Sequence, residues 1–227
     1  MTCTVNSPRV DRRDLEFVRA LTPPERDLLL AAHASVPASC APEIHWTNLY
    51  VDGAFVAEAP QRDRLHSWVL RLVAEVYADW PEVHLISYGF VVNPAGSSAE
   101  QPFHCDYGVT TSNLFIPLTR VTLNNATRFI RQPLARARPR TTDFIGTVDE
   151  ILEAEGCEVL EVVQLACRPF CLLRLLPGTP HAGVPNREDY DRAMFWVTVD
   201  SQPRRIGEGT LALFREDPLT PDERGSP

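Results

Sequence analysis

The sequence predicts an α+β protein in which helices flank a β-sandwich of jelly-roll type. Three observations carry this. The long stretches with apolar residues at helical spacing lie in the first third of the chain. Beyond Pro81, at least seven short runs rich in Val, Ile, Leu, Phe and Thr follow, separated by Pro, Gly and Asn turn signals. Helical and strand patterns do not alternate, which argues against a parallel sheet of βαβ units. The 227 residues read as one domain, with a mainly helical flank over 1–80, the sandwich core over 81–200 and a tail rich in proline and charge over 201–227.

Each element has its own signal. Residues 11–21 and 24–36 are predicted helical. Thr22 is an N-cap followed by proline, with Glu25 three residues on, a capping-box pattern, and ERDLLLAAHA supplies an apolar stripe. Residues 37–60 are irregular except for a hairpin, IHWTNLYVDGAFV, turning at Asp52-Gly53. Residues 63–80 carry the strongest helical pattern, with Leu65, Trp68, Leu72, Val76 and Tyr77 on one face, suited to packing outside a sheet. His33 and His66 lie within these helices and read as packed or solvated. HLISYGFVV is a strand and residues 93–98 a loop. QPFHCDYGVTTSNLFIPLT, residues 101–119, reads as a strand, a turn-rich link and a second strand. Residues 125–130 form another short strand. Residues 131–140 are basic, interrupted by proline and irregular, and 147–155 a brief helix. Strands follow over 158–164 and 170–176, then a turn at 177–180 and a last strand over 192–200. In the tail, GTLALF has the character to pack against the body.

Composition narrows the function classes. Hydrophobic residues at 44% and charged residues at 23% are those of an ordinary globule. A net charge of −8 argues against nucleic acid or an anionic membrane as the main partner. All 22 basic residues are arginine, which reads as the codon bias of a GC-rich genome and excludes a Schiff-base lysine. Cys3, Cys40, Cys105, Cys157, Cys167 and Cys171 form no CxxC pair and read as buried or incidental thiols in a reducing compartment. The N-terminal residues lack the apolar segment of a signal peptide, and no run reaches membrane-spanning length, so the expected location is cytoplasmic.

The chemistry-bearing residues sit around His104. Residues two apart on a strand face the same way, so His104 and Asp106 are expected to point together and Cys105 away. An imidazole and a carboxylate aimed at one point suit iron(II) if a second histidine joins them. His181, after an apolar strand and a PG turn, is that candidate. With 6 histidines and 30 acidic residues an HxD spacing is common by chance, and the competing reading is a buried His104–Asp106 pair with His181 capping a turn. Placement on strand and turn favours the metal reading, as does Arg192, which lies 11 residues beyond His181 amid MFWVTV. A guanidinium there is costly to bury unpaired and asks for a carboxylate. The distal carboxylate of 2-oxoglutarate is one answer; a salt bridge to Glu188 or Asp189, or simple exposure, is another. Arg187 competes for the role, but NREDYD reads as a solvated loop.

Over residues 87–199 the chain resembles the phytanoyl-CoA dioxygenase-like family of iron(II)/2-oxoglutarate-dependent oxygenases. QPFHCDY resembles the family's HxD strand. NLFIPLT followed by NNATRFI resembles the strand pair after it, and HAGVPN with RAMFWVTV resembles the distal histidine and arginine strand at the family's spacing. The resemblance implies a double-stranded β-helix, or cupin-like, core. It implies His104, Asp106 and His181 as iron ligands, Arg192 as anchor for the distal carboxylate, and Asn113 as a polar contact to 2-oxoglutarate. The implied reaction consumes O₂ and 2-oxoglutarate, releases succinate and CO₂, and hydroxylates a small molecule such as a natural product or amino-acid derivative. Aspartate at 106, where the related halogenases have alanine or glycine, disfavours halogenation. The chain departs from the family at RQPLARARPR, where a PGSH-like turn is usual, so the substrate side stays open. Arg128, Arg131, Arg136, Arg138 and Arg140 are either a solvated run or a receiver for an anionic substrate. Tyr88, Tyr107, Arg128 and Trp196 are candidate substrate contacts. Two other readings stay open: a cupin-like oxidase or epimerase that does not use 2-oxoglutarate, and a ligand-binding sandwich without catalysis.

Overall fold

The structure, a computed structural model, describes residues 15–36, 43–57, 61–104, 106–107, 110–131, 144–146 and 161–202. The expected helix over 147–155, the GTLALF segment and Arg136, Arg138 and Arg140 lie outside those residues.

In chain order the elements are β1 (Leu15–Ala20), α1 (Pro23–His33), β2 (His45–Val51), β3 (Ala54–Phe55), α2 (Arg62–Val76), β4 (His84–Asn93), β5 (Phe103–His104), β6 (Thr111–Pro117), β7 (Arg128–Arg131), β8 (Phe144–Gly146), β9 (Glu161–Gln164), β10 (Cys171–Leu175), β11 (His181–Ala182) and β12 (Arg192–Asp200). They form a seven-stranded sheet, β1-β10-β6-β12-β4-β2-β3, and a five-stranded sheet, β8-β5-β11-β7-β9, with antiparallel neighbours. This is the double-stranded β-helix layout.

Residues 15–20 are a strand, not the expected helix. LEFVRA pairs with β10, Leu15 opposite Leu175 and Ala20 opposite Cys171, with a bulge between Phe17 and Arg19. A ladder to an apolar strand outweighs weak local helix propensity. The α1 start follows its sequence: the Thr22 N–H donates to Glu25 Oε2 at 2.7 Å, with proline inside the first turn. The hairpin turns at Asp52 (φ 45°) and Gly53 (φ 88°), both left-handed as a two-residue type I′ turn demands. Helix α2 stops at Val76 and does not reach Trp80. Its end is capped from the sheet, where Arg174 Nη1 donates to the Val76 carbonyl at 3.3 Å. The Arg174 guanidinium stacks on Tyr77, 4.5 Å from the ring centre.

Alternation along the central strands divides the core. Tyr88, Phe90, Leu114, Ile116, Phe195 and Val197 face outward beneath the helices, where Leu65, Trp68, Leu72 and Val76 meet them. Val91, Phe115, Leu173, Leu175 and Met194 face inward, against Phe129 of the opposite sheet. The inward chamber is where polar residues interrupt the apolar lining. No helix among the described residues is long and apolar enough to cross a membrane. Cys167 and Cys171 are free, and burial pushes the Cys167 thiol up to about 12, consistent with an inert thiol.

Candidate metal centre

Strand register brings two histidines together. β11 lies between β5 and β7, with His181 directly opposite His104 on one side and Phe129 on the other. Directly opposed residues share a face, and the two imidazole centroids are 4.6 Å apart. Each ring is oriented by the backbone two residues before it. His104 Nδ1 donates to the Pro102 carbonyl at 2.9 Å, and His181 Nδ1 to the Thr179 carbonyl at 3.4 Å. A proton on Nδ1 leaves the Nε2 lone pair of both rings aimed inward. His181 was expected on a turn; it opens a two-residue strand just after one.

Asp106 completes the group by a different route from the one expected. It is not on the strand with His104 but in the turn beyond it. Tyr107 takes φ 55° there, a conformation that costs a bulky residue energy and is met where a site demands it. The turn is pinned from β6. The Thr111 hydroxyl donates to the Asp106 carbonyl, and Asn113 Nδ2 donates to Asp106 Oδ2 at 2.9 Å. Asp106 Oδ1 lies 3.4 Å from His104 Nε2 and Oδ2 lies 3.3 Å from His181 Nε2. One ligand atom from each residue falls within 4.8 Å of the others. Burial works against the Asp106 carboxylate, yet His181 and His104 hold it far below the usual carboxylate range. Burial likewise disfavours a charged His104, but the hydrogen bond and charge of Asp106 raise it.

The donor set fits a divalent transition metal. In their neutral form the two rings present Nε2 lone pairs to the carboxylate, a repulsive set that a cation would relieve, and two imidazoles with one carboxylate suit iron(II).

Arg192, the first residue of β12, shares the inward face with Met194, Trp196 and Thr198. It is 3% exposed and makes no salt bridge among the described residues. Nη1 donates to the Asn125 carbonyl at 2.5 Å, while buried Nε has no partner among the described residues. Burial lowers it to about 10, so it stays charged near neutrality. Neither expected rival partner engages it. The Glu188 carboxylate accepts from Thr122 and Asn124, and Asp189 is exposed. Arg187 is exposed, as its loop suggested.

The remaining candidates divide. Asn113 lies at the centre, with its amide set against Asp106 and Thr198. Trp196 is half-buried on the inward face, opposite Phe115, whose ring meets His181 edge-on at 5.6 Å. Tyr107 is buried beside Asp106. Tyr88 is a correction. It points outward beneath α2, where its hydroxyl bonds His66 Nδ1 at 3.2 Å and its ring stacks on Tyr50. Arg128 is turned away too. Phe129 takes the face shared with His181, and Arg128 pairs with Glu100 at 2.5 Å. Sequence reasoning missed Thr111 and Thr198, polar residues at the period-two positions of otherwise apolar strands.

Fold and site together define a double-stranded β-helix protein with a two-histidine, one-carboxylate cluster. No protein-family model matches the chain, and no curated protein matches its sequence. Solved structures do match. The epimerase SnoN in complex with Fe³⁺, alpha ketoglutarate and nogalamycin RO superposes with a TM-score of 0.62 at 15% identity, covering 95% of this chain and 89% of that one. The non-heme alpha ketoglutarate dependent carbocyclase SnoK from nogalamycin biosynthesis gives 0.58 at 17%, covering 83% and 80%. HygX from Streptomyces hygroscopicus, with nickel and 2-oxoglutarate bound, gives 0.56 at 12%, covering 84% of each chain. At such identities the likeness is one of fold.

Proposed function

We propose that the protein is an iron(II)/2-oxoglutarate-dependent oxygenase of the phytanoyl-CoA dioxygenase-like kind that hydroxylates a small molecule. The observation that carries this is Arg192, a buried guanidinium without an acid partner among the described residues, on the same inward face that the triad of His104, Asp106 and His181 looks onto. A cupin-like centre that dispensed with 2-oxoglutarate would have no use for a charge so costly to bury. The solved neighbours support the reading, since two are described as alpha ketoglutarate dependent. One is a carbocyclase and another an epimerase, so the scaffold accommodates several outcomes.

In this reading His104 and His181 hold iron(II) through Nε2, and Asp106 balances its charge. When bound, the metal with 2-oxoglutarate and O₂ supplies the oxidation of a substrate C–H bond, with succinate and CO₂ released. Arg192 grips the far carboxylate of 2-oxoglutarate and so fixes the orientation of its keto-acid end. Met194, Phe115 and Trp196 wall the chamber, exclude water and present the substrate.

Anaerobic addition of iron(II) and 2-oxoglutarate tests the reading. The expected result is a weak visible charge-transfer band that Asp106→Ala and His181→Ala abolish. No band from the wild-type protein overturns it. Succinate release across a panel of small metabolites then identifies the substrate class.

A further inference from the structure

Two buried groups in line stand behind the metal-facing carboxylate. Thr198 on β12 is opposite Asn113 on β6, and both side chains are nearly inaccessible, at 0% and 3% exposure. The Thr198 hydroxyl donates to Asn113 Oδ1 at 2.6 Å, and Asn113 Nδ2 donates to Asp106 Oδ2 at 2.9 Å. We propose that Thr198 and Asn113 are positioning residues that decide which oxygen of Asp106 takes the metal. The inference rests on the iron-centre reading above.

The argument is one of lone pairs and amide direction. A carboxylate has two oxygens with about four lone-pair sites. The Asn113 N–H occupies one on Oδ2 and withdraws density from it, so Oδ1 is the stronger donor. Binding through Oδ1 alone is monodentate, and it keeps free the coordination position that a chelating carboxylate would take. A chelating cosubstrate and O₂ need such positions. The relay works only with the amide one way round. Reversed, its oxygen would face the carboxylate oxygen across a hydrogen-bond distance. The Thr198 hydroxyl favours the working orientation by supplying a donor to Asn113 Oδ1, a buried acceptor that would otherwise be orphaned. Because Asp106 sits in a turn outside the strand, this side-chain relay replaces the ladder that would otherwise hold it.

Cobalt(II) titration of the full chain, read by its visible ligand-field bands, tests the relay with Thr198→Val, Thr198→Ser and Asn113→Leu. Valine keeps the shape of threonine and loses the hydroxyl; serine loses the methyl and keeps the hydroxyl. The relay predicts wild-type bands and affinity for Thr198→Ser. It predicts altered bands and roughly 10–100-fold weaker binding for Thr198→Val and Asn113→Leu, the usual cost of removing an outer support of a metal ligand. A packing role predicts the reverse order for the two Thr198 variants, and that order overturns the proposal. So does wild-type behaviour in Thr198→Val or Asn113→Leu. If the wild-type protein itself takes up no cobalt, the metal-centre reading falls and the relay with it.

Discussion

His104 and His181 face each other across one rung of the five-stranded sheet, their rings 4.6 Å apart and their Nδ1 atoms both spent on carbonyls two residues upstream. The same local device, used twice, sets both imidazoles in one tautomer without help from any other side chain. It leaves the carboxylate and the guanidinium as the parts of the site that depend on distant contacts.

Replacing Arg192 separates stability from function. In the ligand-free protein a buried guanidinium with one carbonyl partner among the described residues is a net cost. Arg192→Met is therefore expected to raise the melting temperature of ligand-free protein, by roughly 1–4 kcal/mol in stability. The same variant is expected to weaken 2-oxoglutarate binding at least 100-fold with cobalt(II) affinity unchanged. Calorimetry on both ligands checks the two halves together; a lower melting temperature would point to a structural role.

Arg174 is a structural arginine by contrast. It reaches the Val76 carbonyl and stacks on Tyr77 and Trp80, with Asp79 at 3.6 Å. Arg174→Met is expected to cost roughly 1–3 kcal/mol through the lost helix cap and cation–π contacts. Urea unfolding gives the loss, and metal affinity is expected to stay at the wild-type value.

Acid sensitivity has a named contributor. The Arg19 guanidinium holds the Glu25 carboxyl at about 2, below its ordinary 4.5. Its folded value is depressed, so its stabilisation is fully present above about 4.5 and is lost as pH falls towards about 2. Glu25→Gln is expected to be less stable than wild type at pH 6, with a smaller gap at pH 3. Denaturant midpoints at the two pH values measure it; a gap independent of pH would assign the loss to packing and not to the carboxylate charge.

Gly89 is expected to tolerate no side chain. A Cβ there would stand 2.1 Å from the Thr47 carbonyl and 2.8 Å from Trp196 Cη2. Gly89→Ala must displace β2 or the indole, so a lower melting temperature and a shifted tryptophan emission are the expected readouts. An unchanged emission maximum would show that the strand, not Trp196, gives way.

Much of this site was legible from spacing, and the failures are instructive. The HxD pair and the distal histidine converge, although Asp106 gets there from a turn and not by strand alternation. Helix α1 could be read because its capping box is local. Residues 15–20 could not, because their strand exists only against β10, some 150 residues later in the chain. Tyr88 was named as a substrate contact although the inward phase of β4 is set by Gly89 and Val91, because a strand buried on both faces does not reveal its phase. Thr198 and Asn113 are invisible as partners until register places them opposite each other.

The ligand groups belong to different layers. The imidazoles ride on the five-stranded sheet, whereas Asp106 is tethered through Thr111 and Asn113 to the seven-stranded one. An ion gripped by all three would rivet the halves of the sandwich at its mouth. Loading would then stiffen the whole shell as well as arm it, adding about 2.7 kcal/mol at a hundredfold excess over the dissociation constant.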